Sequence, residues 1–190
     1  MVIGARGEKE GCLLEVMTVF FTSDTHFSHK NILKYCSRPY STIEDMDAGL
    51  VELWNQTVSP TDTIYHLGDF GGKAALPILP RLNGSKHLIT GNHDPEIIRS
   101  APEWVSSQAY LEIKIECYRI ILFHYPILEW NASHYGSLHF HGHLHGSMAN
   151  RPQTCDVGVD CWAMKPVSFP DILEHLQMQG TSSNACAGME

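Results

Sequence analysis

Five short segments of the chain carry side chains that can bind divalent metal ions. Each one follows an apolar stretch typical of a β-strand and combines glycine with acidic, amide or imidazole groups. Carboxylate oxygens, amide oxygens and neutral imidazole nitrogens are the ligands that such ions accept. The segments are Ser23-Asp24-Thr25-His26, Gly68-Asp69, Gly91-Asn92-His93-Asp94, His124 before Tyr125-Pro126, and Gly142-His143-Leu144-His145-Gly146.

Together these segments supply enough ligands for two ions. On extended backbone, side chains two residues apart project to the same side, which pairs Asp24 with His26 and pairs His143 with His145. Taken singly, each residue also fits ordinary turn and capping chemistry. The ordered set, always at the end of a predicted strand, favours metal binding. The predicted metal ligands are Asp24, His26, Asp69, Asn92, His124, His143 and His145.

The composition of the chain indicates a globular protein and argues against some kinds of binding partner. The 190 residues are 43% hydrophobic and 18% charged, which suffices for one sizeable core. The formal net charge of -8 argues against a broad cationic surface, so tight binding of duplex nucleic acid is not expected. Six cysteines without a CxxC pair predict reduced thiols rather than a disulfide framework.

The two ends of the chain differ from its centre. Residues 1–16 are predicted to be a disordered tail, and Met17 is an alternative start to Met1. The tail resembles neither a signal peptide nor a membrane span, so we expect a cytoplasmic protein that does not bind membranes. A single domain is predicted for residues 17–179, and residues 180–190 are predicted to be a second disordered tail.

The elements that must position the candidate ligands alternate between strands and helices. This order, with polar groups at the carboxyl ends of strands, is typical of α/β sheets that bind ligands at that edge. The predicted strands are 18–22, 63–67, 86–90, 109–116, 118–123 and 138–143, with one or two more in 155–167. The predicted helices are 30–36, 43–57, a broken helix at 73–82, and 171–179.

In this order, D-x-H, GD, GNHD, a lone histidine and GHxH resemble the motif set of the calcineurin-like metallophosphoesterase superfamily, in its small single-domain type. The resemblance covers Thr18 to Phe169. It implies an α/β fold of the layered α+β kind, in which two packed mixed β-sheets flanked by helices form a four-layer sandwich. It also implies that Asp69 bridges two ions. The first ion would be held by Asp24, His26 and His145, and the second by Asn92, His124 and His143.

The same resemblance implies hydrolysis of a phosphomonoester or phosphodiester, with a small molecule or nucleotide-like compound as substrate. Two ions can share a water, lower its pKa and neutralise the phosphoryl oxygens. Manganese is the ion we expect, although iron, zinc, cobalt and nickel accept the same ligand set. His93 is the candidate general acid, oriented by Asp94.

Other polar residues have weaker assignments. Arg38 or Arg151 could clamp a distal phosphate through a bidentate guanidinium, or could be solvated surface charges. His139 and His141 are expected to support the ligands or to pack in the core. His29 could touch substrate or face solvent. The segment from Asp156 to Trp162 departs from the Asn-Pro-Gly-Ser style segment of several small relatives.

Two other classes of function compete with hydrolysis by two metals. A catalytically silent interaction protein with this fold would be expected to lack some ligands, and none is missing here. A hydrolase with a serine or cysteine nucleophile has no support, because the chain contains no GxSxG motif. A P-loop is also absent from the sequence, which excludes the common nucleotide-driven motors.

Overall fold

The computed structural model describes residues 17–148 and 151–185. The strands are β1 (Val19–Thr22), β2 (Thr63–His66), β3 (Ser85–Ile89), β4 (Trp104–Gln108), β5 (Tyr110–Ile115), β6 (Tyr118–Phe123), β7 (Leu138–His141), β8 (Thr154–Asp156) and β9 (Val167–Ser168). The α-helices are α1 (Ile32–Tyr35), α2 (Ile43–Thr57), α3 (Glu96–Arg99) and α4 (Phe169–Ala185). Short 3-10 helices cover Lys73–Arg81, Ser133–Tyr135 and Val159–Cys161.

The strands form two mixed sheets, as the sequence predicted. The first has the order β4-β3-β2-β1-β9, in which β1 to β4 are parallel and β9 runs antiparallel to β1. The second has the order β5-β6-β7-β8, with an antiparallel hairpin of β5 and β6 followed by parallel pairs. With helices on the outside, this is the predicted α/β arrangement.

Alternation of side chains along β1 shows how the layers pack. Phe20 faces a core shared with α2 and α3, whereas Phe21 faces a second core between the two sheets. The second core also receives Leu122 and Phe140 from the second sheet and Ile172 from α4. Residues on opposite faces of a strand thus bury on both sides of the sheet, as expected for a mostly parallel sheet covered by other layers.

Helix α2 fixes the outer side of the first sheet. The side chain of Thr42 accepts a hydrogen bond from the backbone N–H of Asp45 at 3.1 Å, which caps the first turn. Met46, Leu50 and Trp54 then recur at helical spacing and are buried. Burying a side chain of this size contributes roughly 1.5–3 kcal/mol relative to leaving it exposed.

The register between β1 and β2 determines where the loops of the site begin. In the parallel pair of β1 and β2, Val19 lies opposite Thr63 and Thr22 opposite His66, so both strands end at the same level. The segments that follow therefore leave the sheet side by side. Their backbones then pair further, since the N–H of Asp24 donates to the Gly68 carbonyl and the N–H of His26 donates to the Asp69 carbonyl, each at 3.0 Å.

Several predicted boundaries were wrong. Strand β4 was missed, because its sequence WVSSQ lacks the apolar alternation of a strand. The broken helix at 73–82 is a 3-10 helix with Pro77 and Pro80 inside it. Helix α4 starts two residues before the predicted 171–179 helix and continues to Ala185.

The predicted tail at residues 1–16 lies outside the described residues, and so do residues 186–190. Within the described part of the chain, no helix is long and apolar enough to cross a membrane.

Candidate active site

The loops that follow the strands have unusual backbone conformations. Five of the predicted ligands have positive φ angles: Asp24 at 57°, His26 at 48°, Asp69 at 57°, His143 at 72° and His145 at 49°. Such conformations are uncommon outside glycine and collect at functional sites. They also correct the argument from extended backbone, because neither two-residue pair is extended. His143 and His145 in fact belong to different ligand groups.

The first ligand group consists of Asp24, His26 and His145. One potential ligand atom from each lies within 4.8 Å of the other two. Asp24 Oδ1 and His26 Nε2 are buried and have no hydrogen-bond partner in the described structure. Buried polar atoms are nearly always paired, so two unpaired atoms facing the same point fit a bound cation.

The second ligand group consists of Asp69, His124 and His143, whose ligand atoms also lie within 4.8 Å of one another. Asn92 Oδ1 adds an amide oxygen 3.1 Å from His124 Nε2. The members of both groups are residues that the sequence predicted as ligands. The backbone of the two predicted pairs, however, is not extended.

Asp69 lies between the two groups. Its Oδ2 atom is 3.6 Å from His26 Nε2 and 3.5 Å from His124 Nε2. Its Oδ1 atom accepts a hydrogen bond from the backbone N–H of His93 at 2.8 Å, which fixes the carboxylate. This placement fits the bridging role that the resemblance implied.

Two glycines allow the loops to come this close. A Cβ atom at Gly142 would overlap Ser23 Oγ and Asp24 Oδ2, and a Cβ atom at Gly91 would overlap Asp69 Oδ1. Glycine is thus required at both positions by the close approach of the ligand carboxylates.

Hydrogen bonds orient the imidazole rings. The Nδ1 atom of His124 lies 2.7 Å from the Leu67 carbonyl, and the Nδ1 atom of His145 lies 2.7 Å from Asp160 Oδ2. A ring that donates through Nδ1 presents Nε2 as its ligand atom, which is the usual arrangement in metal sites. Asp160, which orients His145, was not among the site residues that the sequence predicted.

Arg38 does not bind substrate as expected. Its fully buried guanidinium donates to both Asp160 oxygens at 2.9 and 2.8 Å and to the carbonyls of Thr25 at 2.8 Å and Asp24 at 2.6 Å. No solvent-facing donor is left for a phosphate. Arg38 therefore links the loop of Asp24 to Asp160, and the Asp160 carboxylate in turn orients His145.

The expected role of Asp94 is also wrong. Its carboxylate accepts hydrogen bonds from the backbone N–H groups of Asp69 at 2.9 Å, Phe70 at 2.8 Å and Gly91 at 2.7 Å. Burial raises its pKa, and these bonds oppose the shift. Asp94 thus ties the Gly68-Asp69 loop to the GNHD loop and does not orient the His93 ring.

Arg151 also has a structural contact. Its guanidinium donates to the carbonyls of Ile127 at 3.2 Å and Leu128 at 3.3 Å. His139 is buried, and its Nδ1 atom lies 3.2 Å from the Ile121 carbonyl. Neither His139 nor His141 belongs to a ligand group.

Burial and neighbouring charged groups shift the pKa values of the side chains in both ligand groups. Burial raises the pKa of Asp24 to about 7 and lowers that of His26 to about 3, because burial opposes charge on both side chains. Burial would also raise the pKa of Asp69, but hydrogen bonding and charge from His124 outweigh it and lower the pKa to about 2. Asp69 in turn raises the pKa of His124 against the effect of burial.

A cavity of about 640 Å³ opens beside both groups. His93 lines it, with its ring centroid 5.6 Å from that of His26. His29 lies next to both rings, 5.6 Å from His26 and 6.4 Å from His93 between centroids. The general-acid candidate is therefore on the wall that a bound ester would face.

Known proteins are similar to this chain in sequence. The uncharacterized protein MJ1445 of Methanocaldococcus jannaschii is 30% identical over 176 residues, covering 86% of this chain and 94% of its own length. The Gene 66 protein of Mycobacterium phage D29 is also 30% identical, over 179 residues, covering 76% of this chain and 88% of its own.

Among solved structures, the protein of unknown function AQ665 from Aquifex aeolicus superposes with a TM-score of 0.68 at 26% identity. The match covers 84% of this chain and 99% of that one. Residues 17–166 match the Calcineurin-like phosphoesterase superfamily domain, and this range contains both ligand groups and His93. The chain therefore belongs to the calcineurin-like phosphoesterase superfamily.

Proposed function

We propose that the protein is a metal-dependent hydrolase of small phosphate esters that uses two divalent ions. The observation that carries the proposal is the position of Asp69 Oδ2, 3.6 Å from His26 Nε2 in one ligand group and 3.5 Å from His124 Nε2 in the other. A single carboxylate that faces two clusters of metal-type ligands is the arrangement that a binuclear site needs.

The residues fit the ions that the proposal requires. Asp24, His26 and His145 would hold one ion, and Asn92, His124 and His143 would hold the other, with Asp69 shared. When bound, such ions supply Lewis acidity that makes water a nucleophile near neutral pH and offsets charge on phosphoryl oxygens. Manganese is the ion we propose, and iron, zinc, cobalt and nickel accept the same imidazole, carboxylate and amide ligands.

His93 has the position expected of a proton donor. Its backbone N–H holds Asp69 at 2.8 Å, while its ring lines the cavity beside His26. A group so placed can protonate the oxygen that leaves phosphorus, which lowers the barrier most for poor leaving groups.

A catalytically silent interaction protein is the alternative. Such a protein has no use for a complete set of ligands held in strained loops. Every ligand position implied by the family motifs is filled in this chain, and the buried ligand atoms Asp24 Oδ1 and His26 Nε2 lack partners within the described residues. We therefore favour the enzyme.

The test uses the full chain, freed of metal and reloaded with Mn²⁺. We expect about two ions per chain by elemental analysis and hydrolysis of p-nitrophenyl phosphate or bis(p-nitrophenyl) phosphate. Asp69→Asn should reduce both, whereas Asp45→Asn, an exposed site on α2, should change neither. A wild-type protein that binds the ions and hydrolyses neither compound with any of the five candidate metals would refute the proposal.

A further inference from the structure

The cavity beside His93 lacks strongly cationic side chains. Among the described residues that line it, none is Lys or Arg. Arg38 is bound to Asp160 and to backbone carbonyls, and Arg151 is bound to the carbonyls of Ile127 and Leu128. A second phosphate group would bring charge into the cavity with no guanidinium or ammonium group to pair with it.

Part of the cavity lining is apolar. Ile32 and Tyr35 from α1 and Leu144 from the loop after β7 contribute to it, together with Cys36 and Ser37. Tyr35 is 74% exposed, so most of its ring is available for contact. Flat rings stack on such a surface at little cost in conformational entropy.

His29 adds a hydrogen-bonding position to the lining of the cavity. Its Nδ1 atom is buried and has no partner in the described structure, although the ring lies beside those of His26 and His93. Buried polar atoms usually find partners, and a hydroxyl or carbonyl group of a bound molecule would supply one. The cavity thus provides for one phosphate at the ligand groups and an uncharged, partly flat group beside it.

We propose that the substrate is a single-phosphate ester of an uncharged alcohol that carries a flat ring, of which a nucleoside is the type, and that polyphosphates are excluded. This inference rests on the proposed function. In the reaction, the oxygen of water bonds to phosphorus and the bond from phosphorus to the alcohol oxygen breaks. His93 gives its proton to the departing oxygen and regains one released by the water.

Four substrates separate the possibilities on the Mn²⁺-loaded full chain: the methyl ester of thymidine monophosphate, thymidine monophosphate, glycerol phosphate and thymidine diphosphate. We expect one of the two thymidine monophosphate compounds to have a kcat/KM at least about tenfold above that of thymidine diphosphate. A diphosphate that is hydrolysed as fast as both would overturn the inference while leaving the proposed function intact.

Tyr35→Ala tests the flat-ring contact. It should raise KM for the preferred thymidine compound roughly fivefold, with little change in kcat, because stacking is lost and the ligand groups are untouched. Glycerol phosphate should show no such change. Tyr135→Ala is the matched control, since Tyr135 is 93% exposed and does not line the cavity. Equal effects of the two substitutions would overturn the inference, whereas inactivity toward all four compounds with every metal would overturn the proposed function itself.

Discussion

The Nδ1 atom of His145 lies 2.7 Å from Oδ2 of Asp160, at the rim of the first ligand group. Burial would raise the pKa of Asp160, but hydrogen bonds from His145 and Arg38 outweigh burial and lower it, so the carboxylate is charged. A charged carboxylate behind a ligand imidazole fixes the ring and makes its Nε2 a better donor to a cation. This contact gives the first ligand group a support that the family motifs do not describe.

Asp160→Asn should weaken metal binding by the first group. Loss of a hydrogen-bonded carboxylate behind a ligand histidine typically costs about 10–100-fold in metal affinity. Calorimetric titration of the metal-free protein with Mn²⁺ would show one site weakened and the other unchanged. Arg38→Lys should act similarly and should also destabilise the fold, since the buried pair is broken. Arg99→Lys, at an exposed pair with Glu96, is the control. Wild-type affinity in Asp160→Asn would show that the contact is only structural.

Gly142→Ala should disrupt the site by steric overlap. The new Cβ atom would meet Ser23 Oγ and Asp24 Oδ2, so the loops must separate. We expect a loss of roughly 1–3 kcal/mol of stability, as for overpacked interiors, and less than two bound ions per chain. Thermal denaturation and elemental analysis measure these effects. Gly72→Ala is the control, because a Cβ atom there would have no described neighbour within 4 Å and the φ of -76° suits alanine. An unperturbed Gly142→Ala protein would contradict the described packing.

The strand-end motifs made most of the site predictable, and physical reasons explain the rest. Asp24, Asp69 and His143 stand in short motifs whose order and position are informative. Asp160, in contrast, lies outside every motif, and only folding brings it to Arg38, 122 residues earlier in the chain. Pairing over such a distance leaves no local pattern in a single sequence.

The roles predicted for Arg38 and Asp94 failed for a related reason. Residue type suggested that each would face substrate or His93, but both side chains instead satisfy backbone groups of the loops that carry the ligands. Backbone N–H and carbonyl groups in irregular loops need partners, and the sequence does not reveal where those groups point. Strand β4 escaped prediction because its last three residues, Ser106, Ser107 and Gln108, are polar.

His139 should make the stability of the protein depend on pH. Burial lowers its pKa to about 4 in the folded protein, against 6.5 when it is exposed. Below pH 6.5 the unfolded chain therefore takes up the proton first, and the free energy of unfolding falls until pH reaches about 4. The slope for one such group approaches roughly 1.4 kcal/mol per pH unit.

Comparing the stability of wild type with that of His139→Gln isolates the contribution of His139 to the pH dependence. Urea denaturation at several pH values between about 7 and 4 should show a weaker pH dependence in His139→Gln than in wild type. His134→Gln, at an exposed histidine of the same region, should follow the wild type. Parallel curves for wild type and His139→Gln would mean that His139 does not titrate in this way.

His93→Gln should slow hydrolysis in proportion to the difficulty of the leaving group. A lost proton donor costs roughly 100- to 10,000-fold when the leaving oxygen is a poor alkoxide, and much less for p-nitrophenolate, which leaves without help. Rates of p-nitrophenyl and alkyl esters of the same phosphate, measured at one metal loading, give the comparison. Metal content should stay near that of the wild type. Equal slowing of both esters would show that His93 is not the general acid.

The buried pair of Arg38 and Asp160 joins the segment after the first helix of the chain to the segment after the last strand of the second sheet. A polypeptide released from the ribosome before Asp160 would contain all seven proposed metal ligands, yet the carboxylate behind His145 would be missing. Capacity to retain metal should therefore appear late in synthesis, with the completed chain, and truncated products should compete poorly for scarce manganese.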